Sequence, residues 1–222
     1  MVYPQEKRFC SWSGGKDSCL AFHRSTSAGQ RPSVLLTMLT EGGERSRSHG
    51  LSVEVLKGQA SALGARLVTR ATSWDDYEAD FVSTVQELRA EGLSSGVFGD
   101  IDLEGHREWV TRVCSIMGVK PVLPLWQRDR RELLDEFVSS GFRALIVSVR
   151  NDVLNRDFLG RILDDQTVEE LETAGVDICG EGGEYHTFVT DGPAFSRPVR
   201  VEHIGTESHD GYSFLELRIS DD

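Results

Sequence analysis

Residues 13–18, Ser13-Gly14-Gly15-Lys16-Asp17-Ser18, have the composition of an anion-binding turn. They follow a short apolar stretch at 8–12 and open a helical pattern that runs to about Gly29. A helix N-terminus leaves backbone N–H groups unpaired and carries partial positive charge, so anions settle there. Two glycines let the backbone curl around phosphate oxygens. Ser13 and Ser18 add hydroxyls, and Lys16 adds a cation. Asp17 suits such a turn only if a magnesium ion stands between its carboxylate and the phosphates, so we read it as the metal-bridging group. The Walker A loop has four residues between its glycines and Ser or Thr after its Lys, whereas here Cys10 and Asp17 hold those positions. The dinucleotide fingerprint G-x-G-x-x-G does not fit either.

A second cluster lies at 180–187, Gly180-Glu181-Gly182-Gly183-Glu184-Tyr185-His186-Thr187. Its carboxylates and imidazole suit acid–base work or the gripping of an amine. The plainer alternative is a polar hairpin loop ahead of a strand at 187–190. Asp100, after a strand-like stretch at 96–99, faces a ligand if the sheet is an open α/β sheet, and otherwise caps a helix. The run Asp100-x-Asp102-x-Glu104-Gly105 begins like a calcium loop, but Thr111 stands where the twelfth-position Glu belongs. His49 is either brought to the phosphates by its loop or left idle in solvent. Arg107 pairs with phosphate or with a neighbouring carboxylate. His23, His203 and His209 read as structural or exposed. The four tryptophans read as core or cleft wall, with base stacking open to one of them. No H-E-x-x-H or other compact metal-ligand spacing occurs.

Positioning these groups needs alternating strands and helices. Residues 33–39 and 66–69 read as buried-type strands. Residues 52–63 read as a helix with Ser52 as its N-cap. Tyr77, Phe81, Val85 and Leu88 recur at helical spacing and make one apolar stripe, which Gly92 ends. His106, Val110, Val113, Cys114 and Met117 share the face of another predicted helix, and Leu133, Leu134, Phe137 and Val138 that of a third. Residues 142–149 form a further buried strand and 167–173 a short helix. Strands at 199–204 and 212–219 are joined through Asp210-Gly211, a turn dipeptide. The texture changes near 121–126. This predicts an α/β domain over 1–125 that carries the anion-binding turn and a smaller α+β domain over 126–222.

The string SGGKDS after a first strand resembles the pyrophosphate loop of the N-type ATP pyrophosphatases. The string at 180–187, continued by Thr187-Phe188-Val189-Thr190-Asp191-Gly192-Pro193, is more specific and resembles the diphthine–ammonia ligase family. Phe98-Gly99-Asp100-Ile101, Arg107-Glu108-Trp109, Pro124-Leu125-Trp126 and Ser48-His49-Gly50-Leu51 agree with that family. The resemblance covers roughly residues 8–195 and leaves the hairpin after Arg197 unmatched. It implies a Rossmann-like parallel sheet of the adenine nucleotide α-hydrolase type with a smaller C-terminal α+β domain, which makes 1–125 the ATP-binding domain and 126–222 the substrate-binding domain. It implies a ligase that adenylylates a carboxylate with ATP and Mg²⁺, amidates it with ammonia, and releases AMP and pyrophosphate. The family acceptor is diphthine on elongation factor 2; where a source makes no diphthamide, another carboxylate takes its place. Ser13, Gly14, Gly15, Lys16, Asp17, Ser18, Met38, His49, Gly50, Gly99 and Asp100 are then expected at ATP. Arg107, Glu181, Gly182, Gly183, Glu184, Tyr185, His186 and Thr187 are expected at the acceptor. Lys16, Asp17, Asp100, Glu184 and His186 carry the chemistry. Two alternatives stay open: a tRNA-modifying relative of the same superfamily, and a nucleotide-binding module without turnover.

Bulk properties narrow these choices. The chain has 222 residues, 24 Lys plus Arg against 36 Asp plus Glu, and a formal charge of −12. That field repels nucleic-acid backbones and anionic membranes, so neither is an expected partner. Four widely spaced cysteines without C-x-x-C read as free thiols of a reducing compartment. The polar start of the chain lacks a signal-peptide core, and no apolar run approaches the ~20 residues of a membrane span. A cytoplasmic enzyme is expected, and for its oligomeric state the reading allows a homodimer.

Overall fold

The computed structural model describes residues 6–220. The outermost part of the polar N-terminal stretch lies outside the described residues. Five strands, β1 (Lys7–Ser11), β2 (Val34–Leu39), β3 (Arg66–Ala71), β4 (Leu93–Val97) and β5 (Lys120–Val122), form a parallel sheet in the order β3-β2-β1-β4-β5. Helices α1 (Lys16–Ser27), α2 (Val53–Ala62), α3 (Tyr77–Ala90) and α4 (Glu104–Met117) alternate with these strands. Strand order reverses between β1 and β4, so the connections leaving them part to opposite faces and open a crevice at their carboxyl ends. The glycine turn at 13–18 follows β1, and Asp100 follows β4. Both therefore arrive at that crevice.

β1 shows why the sheet is covered on both sides. Phe9 joins Phe81, Val85, Val110 and Met117 in one apolar cluster. Its neighbour Cys10 points the other way, into a cluster with Phe22, Leu56, Phe137, Val147 and Phe188. Successive strand residues face opposite sides of a sheet, and here each side has its own helices. The α3 stripe is as its spacing predicts, with Phe81, Val85 and Leu88 buried. Ser52 caps α2 by accepting from the Val55 N–H.

The C-terminal part holds α5 (Arg130–Ser139), a one-turn 3₁₀ helix (Arg156–Phe158), α6 (Asp165–Thr173) and four strands. The strands are β6 (Arg143–Arg150), β7 (Tyr185–Asp191), β8 (Val201–His209) and β9 (Tyr212–Ile219), antiparallel in the order β7-β6-β9-β8. Asp210 and Gly211 both have positive φ (52° and 82°), as the tight turn of the β8–β9 hairpin requires. The two sheets share the larger apolar cluster. Several elements are longer than their apolar patterns suggest. β4 starts at Leu93, β7 at Tyr185, and β8 continues to His209. β5, Lys-Pro-Val, falls at the edge of the 121–126 change of texture, where the sequence pattern marks no strand. It bonds to β4 alone, and an edge strand is where a proline is tolerated.

Candidate active site

The glycine turn is held from above by the second sheet. The Gly14 carbonyl accepts from the Val189 N–H of β7 (2.9 Å) and from Gln59 Nε2 (2.9 Å). Gln59, fully buried on α2, also donates to the Val189 carbonyl (2.7 Å) and accepts from Trp12 Nε1 (3.1 Å). The Lys16 N–H donates to Thr187 Oγ1 (3.0 Å). A Cβ on Gly15 would meet His49 Cε1 at 2.4 Å and the Thr187 carbonyl at 3.1 Å, and one on Gly14 would meet Gln59 Oε1 at 2.8 Å. Gly14 also has φ +83°. Gly14 is thus required by the buried side chains packed on it and by the curl of the turn, and Gly15 by His49 and the Thr187 backbone. Gly99 has a similar role, because its Cβ would meet the Asp17 carbonyl carbon at 2.9 Å.

A cleft of two connected parts opens at the crevice. The first part runs from Ser11, Trp12 and Ser18 over Leu36, Thr37 and Met38 of β2 to Arg47, Trp74 and Tyr77. The second runs from Lys16 to His106 and across to Cys179, Gly180, Glu181, Gly183, Tyr185, His186 and Thr187. Ser13, Asp17, Ser48, His49, Gly99 and Asp100 line both parts. The two parts have cavity volumes of about 250 and 330 Å³, around the lower end of the roughly 300–1,000 Å³ of small-ligand sites.

The charges of this cleft are set by burial and by neighbours. Lys16 Nζ is buried, donates to Asp17 Oδ2 (2.8 Å) and to the Cys179 carbonyl, and lies over the Tyr185 ring. Burial alone would lower its pKa; Asp17 and the other neighbours outweigh that and hold it above the ordinary lysine value. Burial, reinforced by Asp17, pushes Glu181 up to about 7. His49 Nδ1 bonds the Thr187 carbonyl (2.8 Å), which can only accept, so Nδ1 carries the proton. Burial brings His49 down to about 4 and, with His49 and Lys16 nearby, holds His186 well below the usual histidine value. The two rings lie 4.6 Å apart, both neutral at pH 7. His106 is the contrasting case. It is 57% exposed, bonds Asp100 Oδ1 through Nδ1 (3.1 Å), and that bond raises its pKa. All four cysteines are free and buried, and burial raises each thiol, Cys114 and Cys179 to about 12. None is a ready thiolate nucleophile.

A hub behind the second part fixes the 177–183 turn. Asp177 accepts from the Cys179 N–H (3.1 Å), the Glu181 N–H (2.8 Å) and Arg130 Nη1 (2.6 Å). The same guanidinium forks onto Asp102 with bonds of 2.8 and 2.7 Å. One arginine therefore ties the loop after β4 to the acidic glycine loop.

Comparison with known proteins adds the family. The model for the diphthamide synthase N-terminal domain matches residues 6–121, and that for its C-terminal domain matches 129–220. The chain belongs to the diphthamide synthase family. The diphthine–ammonia ligase of Bos taurus is 32% identical over 94% of this chain and 91% of its own length. The protein of that name from Homo sapiens is 31% identical over 94% and 91%, and that from Danio rerio 30% over 92% and 90%. A solved structure from Methanocaldococcus jannaschii, described as a predicted subunit of tRNA methyltransferase, shares 16% identity at a TM-score of 0.46, covering 84% of this chain and 98% of its own. The family's activity class is an ATP-dependent amide-forming ligase, and neither tRNA modification nor binding without turnover is favoured. The C-terminal family model extends through the β8–β9 hairpin, which the sequence resemblance leaves unmatched.

Within this family fold, Ser13, Lys16, Asp17, Ser18, Met38, His49, Gly99, Asp100, Glu181, Gly183, Tyr185, His186 and Thr187 all line the cleft. Six expected residues do not. Gly14 and Gly15 lie beneath the second sheet. Gly50 packs on Phe214, whose ring a Cβ would meet at 2.8 Å. Arg107 pairs with Glu104 and lies over the Trp126 ring. Gly182 is exposed at the outside of its turn. Glu184 folds back against it: a Cβ on Gly182 would meet Glu184 Oε1 at 2.5 Å, and Glu184 Oε2 is buried without a partner. Conversely, His106 points into the second part and not into the core with Val110 and Val113, because it occupies the first, solvent-facing turn of α4. Arg47 carries no local pattern that marks it, whereas Trp74 is one of the four tryptophans read as core or cleft wall and Tyr77 begins the α3 stripe; all three line the first part. Gln59, a polar residue one turn beyond Val55 on a buried helix face, is the signal that a second backbone had to be met there. No group of three or more His, Cys, Asp or Glu side chains placed to hold a metal occurs among the described residues. Magnesium bound to a nucleotide needs only one or two carboxylates beside the phosphates, and Asp17 at the junction of the cleft fits that demand.

Proposed function

We propose that this chain joins ammonia to a carboxylate that it first adenylylates with ATP, and that the acceptor is diphthine on elongation factor 2 where the source makes diphthamide. The junction of the cleft carries this reading. Ser13, Asp17, Ser48, His49, Gly99 and Asp100 face both of its parts, so a nucleotide in the first part would present its α-phosphate to an acceptor in the second.

The triphosphate would lie at the N-terminus of α1, where helix dipole, Ser13, Ser18 and the charge of Lys16 favour anions. Asp17 would hold magnesium, which neutralises phosphate charge. A carboxylate oxygen of the acceptor attacks the α-phosphorus, and the bond to the bridging oxygen breaks to release pyrophosphate. Ammonia then attacks the acyl carbon, the acyl C–O bond breaks with its electron pair leaving on AMP, and one proton is released. Glu181, poised near neutrality, suits that proton, and the neutral ring of His186 suits a hydrogen bond to the acceptor. No enzyme nucleophile is needed, in keeping with four protonated, buried thiols. The protein's contribution is orientation and charge stabilisation.

Labelled ATP should yield AMP and pyrophosphate in continued turnover when acceptor and an ammonia source are both present, and at most about one equivalent of pyrophosphate per enzyme with the acceptor alone. ADP and phosphate as products would overturn the reading. His186→Ala should leave ATP affinity intact in calorimetry and lower product formation; a loss of ATP affinity would move His186 to the nucleotide.

A further inference from the structure

The outer end of the first part of the cleft carries features that phosphate binding does not use. Trp74 is 71% exposed, the largest value among the exposed large hydrophobic side chains of the described residues, yet it is not loose. The guanidinium of Arg47 lies 4.3 Å from its ring centroid, and the Tyr77 ring is tilted beside it at 5.9 Å. Arg47 is itself tied down through Nη2 to the Thr72 carbonyl. Its Nε is buried and has no hydrogen-bond partner. An unsatisfied buried N–H costs on the order of 1–3 kcal/mol, so a donor left over in the wall of a cleft points to an acceptor that arrives with a ligand. All three residues line the first part, whose other end is the glycine turn.

We propose that Trp74 and Arg47 form the nucleobase end of the nucleotide site, Trp74 by stacking on the purine ring and Arg47 by bracing that indole and offering its Nε–H to an acceptor of the adenosine. This rests on the reading that ATP occupies the first part of the cleft, and extends it to the residues that hold the base. Three physical points support it. Indole has a large polarisable face, and base–aromatic stacking is sequence-tolerant and strong. An exposed tryptophan costs apolar surface in water, which a stacked base would cover. A ring already fixed by a cation on one side loses little further freedom on binding. Chain order gives no hint of the pair. Arg47 belongs to the loop after β2 and Trp74 to the loop after β3, and parallel strands bring the two carboxyl ends side by side.

Trp74 fluorescence and calorimetry test the proposal on the full chain. In the wild type, ATP, AMP and adenosine should all change the tryptophan emission, whereas pyrophosphate should bind without doing so. Trp74→Phe should remove that optical change and keep most of the affinity. Trp74→Ala should weaken ATP and AMP binding roughly tenfold and leave pyrophosphate binding unchanged. Arg47→Ala should weaken adenosine and ATP in parallel, again sparing pyrophosphate. Because Trp74 lies mostly in solvent, its substitution should leave the unfolding temperature near that of the wild type. If ATP binds to the wild type and Trp74→Ala binds it equally well, the base is held elsewhere and the proposal fails. If calorimetry shows no ATP binding to the wild type at all, it is the underlying nucleotide reading that fails.

Discussion

The two glycine-rich loops look alike as strings and differ as structures. The loop at 13–18 is roofed by β7, and a Cβ on Gly15 would strike His49 and the Thr187 backbone. The loop at 180–183 is open on its outer side, where Gly182 is exposed, and the nearest atoms to a Cβ on Gly182 are those of the Glu184 carboxylate. In the first, glycine lets two sheets close on each other around a buried cation. In the second, it lets the chain turn, with positive φ at Gly180 and Gly183, while Asp177 holds the N–H groups of Cys179 and Glu181. Packing thus decides at Gly15 and turning at Gly183, while Gly14 and Gly180, each with positive φ and a close neighbour, serve both. Substitutions should be felt as stability and anion binding in the first, and as pH dependence and turnover in the second.

The sharpest break of that comparison is Lys16→Ala. It removes the cation and leaves both Asp17 and the Cys179 carbonyl without their donor. ATP-dependent turnover should fall at least tenfold, about 1.4 kcal/mol, and the unfolding temperature should drop with it. Wild-type turnover in this variant would remove the anion-binding role from the first loop. Gly15→Ala comes next, with an expected stability loss of about 1–3 kcal/mol from overpacking, measured by denaturant unfolding. Gly182→Ala is its matched control. The side chain in its way is flexible, so its stability should stay within about 0.5 kcal/mol of wild type. Equal losses from the two would erase the distinction between roofed and open loops.

Glu181→Gln tests the second loop through pH. A carboxyl near 7 in the native state and 4.5 when unfolded binds more proton in the native state between those values. It therefore lowers stability as pH rises from about 4.5 to 7. His49 acts oppositely, since its native value near 4 lies below the unfolded 6.5 and stability is lost as pH falls through that window. The two slopes oppose each other between 4.5 and 6.5. Glu181→Gln should leave the histidine slope uncompensated, so that stability rises more steeply with pH there, and it should flatten the turnover profile near neutrality. An unchanged profile of stability against pH would return Glu181 to an ordinary carboxylate. The smallest effect is expected from Glu184→Gln. Its side chain lies back on Gly182, so ATP affinity and turnover should both stay within about twofold. A large loss of product formation would instead bring Glu184 into the acceptor chemistry.

The sequence by itself determined the parallel-sheet half to a large extent. The apolar runs of β1 and β2, the α3 stripe and the Ser52 cap are local, and local periodicity and capping report them directly. It also determined which two strings hold most of the chemistry, because glycines next to ionisable groups are informative wherever they fold. The Asp210-Gly211 turn was legible for the same reason: two consecutive residues with positive φ need those types. What only tertiary structure decided is which side chains of those strings reach the cleft. Glu184 and His186 are two residues apart, yet one folds back on Gly182 and the other enters the cleft. Their separation depends on where the Gly183 turn hands over to β7, which no period records. His106 looks like the first member of the α4 apolar face and is instead drawn out by Asp100, in the loop between β4 and α4. Arg47 and Trp74, separated by 26 intervening residues, meet because β2 and β3 run parallel and end together. Contacts of this kind are made by backbone topology bringing distant chain ends to one place, and local pattern carries no information about them.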